Sequence, residues 1–177
     1  MNIHKLFKIL ILTILLSING YAELPQAPAE RVAITKAPGI EMTLAILKPD
    51  CIEKKIVGDV ISRFENYGLE IRGIKMMQLS EAILKEHYSH LVQKDFFPEL
   101  LAYMSSNPVI AMVLEGKNAI EEVRELIGST DPVDAELGTI RSDYGDDKMH
   151  NIIHASDNAK NAEIEINRFF NPKEIFE

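Results

Sequence analysis

Between Met42 and Leu47 almost every residue is apolar, and the run stops at Lys48-Pro49-Asp50. That is the pattern of a first strand, and Pro49 ends it because proline brings no N–H to a ladder. Ile56, Val57, Val60, Ile61 and Phe64 then recur at helical spacing, which predicts an amphipathic helix ending near Gly68. Leu69 to Met77 reads as a second strand, its alternation imperfect around Gly73-Ile74. Ser80 is placed to N-cap a helix through His90, and a shorter helix runs from about Pro98 to Met104 before Asn107-Pro108 breaks it.

Val109 to Leu114 is again continuously apolar, a third strand buried on both faces. Asn118 with Glu121 gives a capping-box-like start to a helix that turns Ile120, Val123 and Ile127 inward. Gly128 to His150 reads as one long polar loop, and loops of that length are usually functional. Asn151-Ile152-Ile153 is a short apolar strand that delivers His154 to a strand-to-helix turn. There Ser156 or Asp157 is placed to cap a helix beginning near Asn158 and carrying Ala159, Ala162, Ile166 and Phe169. The element order predicts an α+β fold, a ferredoxin-like βαββαβ antiparallel sheet covered by helices.

The first residues break this pattern. Lys5 and Lys8 precede the run Ile9 to Leu16, and Gly20-Tyr21-Ala22 supplies the small residues of a cleavage site, so residues 1–22 read as a secretory signal peptide cut after Ala22. The expected location is therefore exported, periplasmic or secreted, with no stable membrane anchor after cleavage. An uncleaved anchor is the alternative, but the run is shorter than the roughly 20 residues that span a bilayer; a cytoplasmic location remains if the segment is no working signal. Residues 23–40, with Pro25, Pro28 and Pro38, read as a linker or disordered arm, which leaves 41–177 as one domain.

The chain of 177 residues holds 19 basic and 27 acidic side chains, a formal charge of −8. Such a balance repels nucleic-acid backbones, so no nucleic-acid partner is expected. Lys48, Arg124 and Arg141 would then form a local positive focus on a negative body, suited to an anionic substrate. Cys51 is the sole cysteine, so no intrachain disulfide is possible, and no Cys or His recurs at zinc-ligand spacing. A lone histidine among apolar residues is often a satisfied core residue. His154, however, sits before a helix N-terminus whose N–H groups favour a phosphate, and a neutral imidazole is a nucleophile.

Lys48-Pro49-Asp50, Thr130-Asp131-Pro132, Gly138-Thr139-Ile140-Arg141 and Asn151-Ile152-Ile153-His154, in this order, make the chain resemble the nucleoside diphosphate kinase family over about Glu41 to Phe170. The resemblance implies that His154 takes the γ-phosphate of a nucleoside triphosphate and passes it to a nucleoside diphosphate by a ping-pong mechanism. It implies that Glu165 bonds the far ring nitrogen of His154 and that Tyr88 stands close to the nucleophile. Lys48, Arg124, Thr130 and Arg141 match phosphate-contacting positions, Asn151 the residue near the ribose hydroxyl, and Phe96 and Leu100 the pair that sandwiches the base. Mg²⁺ is expected to arrive with the nucleotide, and the family's members are homo-oligomers, tetramers or hexamers.

His87, His90 and His150 fall outside this constellation and read as surface histidines, while Asp157 is near enough in sequence to assist. Three positions depart from the family pattern: Ala155 for the usual glycine, Asn158 for a serine, and Asp95 for a proline before Phe96. A methyl beside the nucleophile could crowd the phosphate or stiffen the turn. Two other functions compete: a catalytically weak exported nucleotide-binding or interaction protein of the same fold, and a nuclease. The intact histidine and cations favour the kinase, and the absence of a carboxylate cluster and the acidic charge oppose the nuclease.

Overall fold

The computed structural model describes residues 35–177. The signal-like segment and residues 23–34 of the arm lie outside the described residues. Within the described part, strand β1 (Thr35–Ala37) turns into β2 (Ile40–Leu47), so the last residues of the segment read as linker belong to the sheet. The pairing of Thr35 with Glu41 closes a tight hairpin that a proline-marked stretch does not announce.

Short helix α1 (Pro49–Glu53) follows β2, then α2 (Val57–Tyr67), β3 (Glu70–Met77), α3 (Glu81–His87), α4 (Phe97–Met104) and β4 (Val109–Lys117). Helix α5 (Ala119–Ile127), α6 (Ile140–Tyr144), β5 (Ile153–Ala155) and α7 (Ala159–Phe169) complete the fold. The strands run antiparallel in the order β3-β4-β2, and the outer edge of β2 is shared: β1 pairs with its start, β5 with its end. This is the ferredoxin-like order expected from the sequence.

The two continuous apolar runs became β2 and β4, paired from Ile40–Lys117 to Leu47–Ile110. Their side chains alternate between two apolar layers. Met42, Leu44, Ile46, Val109, Ala111 and Val113 pack under α3, α4 and α7, against Leu84, Leu100, Met104, Ile166 and Phe169. Ala45, Leu47, Ile110, Met112 and Leu114 pack on the other face with Val60 and Phe64 of α2 and Val123 and Ile127 of α5. Burial on both faces is what removed the polar alternation from these strands. Strand β3 has a register shift between Ile71 and Gly73, where the alternation read from the sequence also falters.

Three local expectations need correction. Asn118 starts α5 in the left-handed region, φ +50°, and its side chain makes no cap; Glu41 accepts from the Ile120 N–H instead, at 3.5 Å. Helix α7 is capped by Asn158, whose side chain accepts from Asn161 N–H at 2.9 Å, and not by Ser156 or Asp157. The 128–150 stretch is not one loop: it holds a 3₁₀ turn at Pro132–Asp134 and α6, whose N-cap Thr139 accepts from Ser142 N–H. No helix among the described residues is long and apolar enough to cross a membrane.

Candidate active site

Strand β5 is only three residues long, and the turn before it sets its direction. Ile152 has φ +74°, a region that β-branched residues avoid, and Ile153 N–H donates to Asn151 O at 2.8 Å, closing a strained γ-turn. The strain is held from outside. Asp50 accepts from the Ile152 N–H at 3.0 Å and from the Cys51 N–H at 3.0 Å, while Lys48 N–H donates to Ile152 O at 2.8 Å. Buried Asp50 thus couples the end of β2 to the residue two before His154, a function the sequence reading did not assign to it.

From that turn β5 pairs antiparallel with β2, His154 opposite Ile46. Its neighbours Ile153 and Ala155 join the α2/α5 layer, which sends the imidazole to the α3/α7 side. His154 Nε2 lies 3.1 Å from Glu165 Oε2, and Ser156 Oγ donates to the same oxygen at 2.6 Å. Burial alone would raise the Glu165 pKa, but these hydrogen bonds and the histidine charges outweigh it and hold the carboxyl down at about 2. An ionised Glu165 on Nε2 leaves Nδ1 as the ring nitrogen available to a substrate.

The cations arrive by different routes. Lys48 ends β2 and is buried; its ammonium donates to Asn151 Oδ1 at 2.6 Å and to Met149 O at 3.0 Å. Burial lowers its pKa to about 8 in spite of Asp50. Asn151 in turn donates to Thr130 O at 2.8 Å and Lys148 O at 2.9 Å, tying the 128–150 stretch to β5. Arg141, on α6, donates to Gly128 O at 2.9 Å and Ile153 O at 2.8 Å, and burial together with Arg124 lowers its pKa to about 10. Gly128 is required here: at φ +80° a Cβ would stand 2.4 Å from Thr139 Oγ1. Arg124 on α5 is more exposed and pairs with Asp157.

All ten residues singled out from the sequence, Lys48, Tyr88, Phe96, Leu100, Arg124, Thr130, Arg141, Asn151, His154 and Glu165, line one cavity of about 730 Å³. Phe96 is half exposed on its wall, whereas Phe97 beside it is buried in the α3/α4/α7 layer. Tyr88 is buried, its ring centroid 6.2 Å from that of His154. His150 is partly exposed and paired with Asp147, as a surface histidine would be. His87 is the exception to the sequence reading: it is buried, with its ring 4.6 Å from that of His154. Its position on the inner face of α3, next to Tyr88, was the available signal.

The departures from the family pattern are accommodated. The Ala155 side chain belongs to the α2/α5 layer, though the residue also borders the cavity, and Asn158 caps α7 as a serine would. Asp95 is exposed. Cys51 is a buried thiol whose pKa burial pushes up to about 12, which makes it a packing residue and not a nucleophile.

Residues 41–175 match the family model described as nucleoside diphosphate kinase. A nucleoside diphosphate kinase of Acetivibrio thermocellus is 49% identical over 131 residues, covering 74% of this chain and 96% of the relative. One of Methanobrevibacter smithii is 46% identical over 136 residues, covering 77% and 91%. Among solved structures, the Aquifex aeolicus nucleoside diphosphate kinase superposes with a TM-score of 0.75 at 42% identity, over 77% of this chain and 99% of its own. A halophilic nucleoside diphosphate kinase from Halobacterium salinarum in complex with CDP does so with the same TM-score and identity, over 77% and 91%.

Proposed function

The chain belongs to the nucleoside diphosphate kinase family, and we propose that it moves the γ-phosphoryl group of a nucleoside triphosphate to a nucleoside diphosphate through a phosphorylated His154. The observation that carries this reading is the imidazole itself: Nε2 faces an ionised Glu165, and Nδ1 is left for attack in a cavity that Lys48, Arg124 and Arg141 line. The Nδ1 lone pair forms the N–P bond, the bridging P–O bond breaks, and its electrons leave on the nucleoside diphosphate. The ring becomes positively charged and Glu165 holds its Nε2 proton. Passage to the second diphosphate reverses these steps.

Phosphoryl transfer leaves a protein mainly positioning and charge stabilisation. Lys48, Arg141 and Arg124 would meet the phosphate oxygens, with Thr130 beside them and Asn151 toward the ribose. Phe96 and Leu100 would take the base between them, and a stacking contact serves every base because each has a π face. The carboxylates lining the cavity suit Mg²⁺ that arrives on the nucleotide: Glu86 is paired with Arg168, Asp157 with Arg124, and Glu165 with His154 and Ser156. Bound to the phosphates, Mg²⁺ would neutralise part of their charge.

Assembly and location belong to the same proposal. A homo-oligomer, tetramer or hexamer, is supported by apolar side chains left in solvent at Met76 of β3 and at Val133 and Leu137; light scattering after gel filtration tests it. Export rests on the character of residues 1–22 and is tested by N-terminal sequencing of native protein from each cell fraction, with Glu23 as the expected terminus. For the chemistry, purified protein is incubated with γ-labelled ATP and Mg²⁺. An acid-labile, alkali-stable phosphoprotein that a nucleoside diphosphate discharges is expected; label that never enters the protein would favour the weak binding protein.

A further inference from the structure

His87 is buried deep in the site, yet nothing above gives it a task. Its ring packs edge-to-face against three others: His154 at 4.6 Å between centroids, Tyr88 at 4.6 Å and Phe169 at 5.1 Å. Burial, then the charge of His154, pulls its pKa down to about 3, so the imidazole stays neutral and carries one N–H. Which nitrogen holds the hydrogen follows from Arg168. Its guanidinium, anchored on Glu86 at 2.9 Å, comes within 3.4 Å of His87 Nδ1, and arginine only donates. Nδ1 is therefore the acceptor and Nε2 bears the proton. That Nε2 is buried with no hydrogen-bond partner.

A buried donor without an acceptor destabilises the state that contains it, so its presence beside a nucleophile points to a partner gained in another state. Glu165 is within reach. One nitrogen of His87, one of His154 and one carboxylate oxygen of Glu165 lie within 4.8 Å of one another. Both present donors to Glu165, His154 Nε2 and Ser156 Oγ, use Oε2, which leaves acceptor capacity on the other oxygen. The same three groups have the donor set of a divalent-ion site. The guanidinium at Nδ1 and the proton it fixes on Nε2 oppose that use.

We propose that His87 is a positioning residue for the transfer, whose Nε2–H closes on the Glu165 carboxylate when His154 carries the phosphoryl group. Its bond keeps Glu165 against His154 Nε2 while that ring is positively charged, so it strengthens an interaction of the phosphorylated state over the free one. The inference rests on His154 as carrier, but its first test does not.

Nitrogen NMR of the whole protein labelled at histidine reads the tautomer of His87 directly. The expected result is Nε2 protonated and Nδ1 bare, unchanged from neutral to mildly acidic pH; an Nδ1–H tautomer or a titrating His87 overturns the inference whatever His154 does. On phosphorylation by ATP and Mg²⁺ the His87 Nε2–H resonance is expected to move downfield, and no movement in a protein that has been phosphorylated also overturns it. If no phosphohistidine forms, the proposed function fails first. His87→Phe is expected to lower kcat on the order of 10-fold with KM little changed, as losses of supporting hydrogen bonds do. His87→Gln, which keeps an N–H, should recover most of it; wild-type kcat in folded His87→Phe contradicts the proposal, and the NMR result stands if that variant fails to fold.

Discussion

The two sides of the cavity are built on different terms. Lys48, Asn151 and Arg141 are buried, and each donates to main-chain carbonyls drawn from residues 128–153, so the two charges and the amide between them are fixed before any ligand arrives. Phe96 and Arg124 stand about half in water, Arg124 held by one surface ion pair with Asp157. The buried side is part of the fold and the open side is not. A preorganised charge needs no reorganisation as the transition state forms, whereas an exposed ring or guanidinium acts mainly by holding the nucleotide.

If that contrast is right, substitutions on the buried side should damage stability and chemistry together. Arg141→Ala strands the carbonyls of Gly128 and Ile153, bonds to a charged donor worth about 1.5–3 kcal/mol each. It should lower the melting temperature clearly and cut kcat roughly 100-fold or more; a loss confined to KM would erase the distinction between the sides. Lys48 gives a pH signature. Its ammonium is charged below its pKa of about 8 and neutral above it, so kcat/KM, which reports groups of the free enzyme, should fall as pH rises through about 8. In Lys48→Met that alkaline limb should vanish from an already low baseline.

The open side should behave otherwise. Phe96→Ala and Arg124→Ala are each expected to raise KM several-fold, with unfolding free energies within about 0.5 kcal/mol of the parent, as for other exposed substitutions. For Phe96→Ala the rise should be alike for all bases, and a selective loss for one base would contradict stacking. The smallest effect is expected at Ala155→Gly: activity equal or higher, with about 0.5–1 kcal/mol of stability lost to backbone freedom. A severe loss of activity would mean that the site depends on the methyl group after all.

How far the sequence was legible divides along similar lines. Strands β2 and β4 were plain because burial on both faces leaves unbroken apolar runs, and α2 and α5 because one buried face leaves helical spacing. The site residues were read through ordered motifs, and all ten meet in one cavity. What escaped depended on partners distant in sequence. Nothing local marks Asp50 as the support for a strained turn 102 residues away. Ser156, a good cap by type, was drawn to Glu165, and Asn158 did the capping. His87 looked like a surface residue because its burial is supplied by Phe169 and His154, from the other end of the domain.

Transfer through His154 depends on one orientation, with Glu165 on Nε2 and Nδ1 facing the substrate. Phosphorylating the protein with ATP and Mg²⁺, digesting it at alkaline pH and locating the phosphate by mass spectrometry and NMR tests that orientation most directly. The expected product is His154 phosphorylated on Nδ1, absent in His154→Ala. Phosphate on Nε2, or on any residue other than His154, would contradict it.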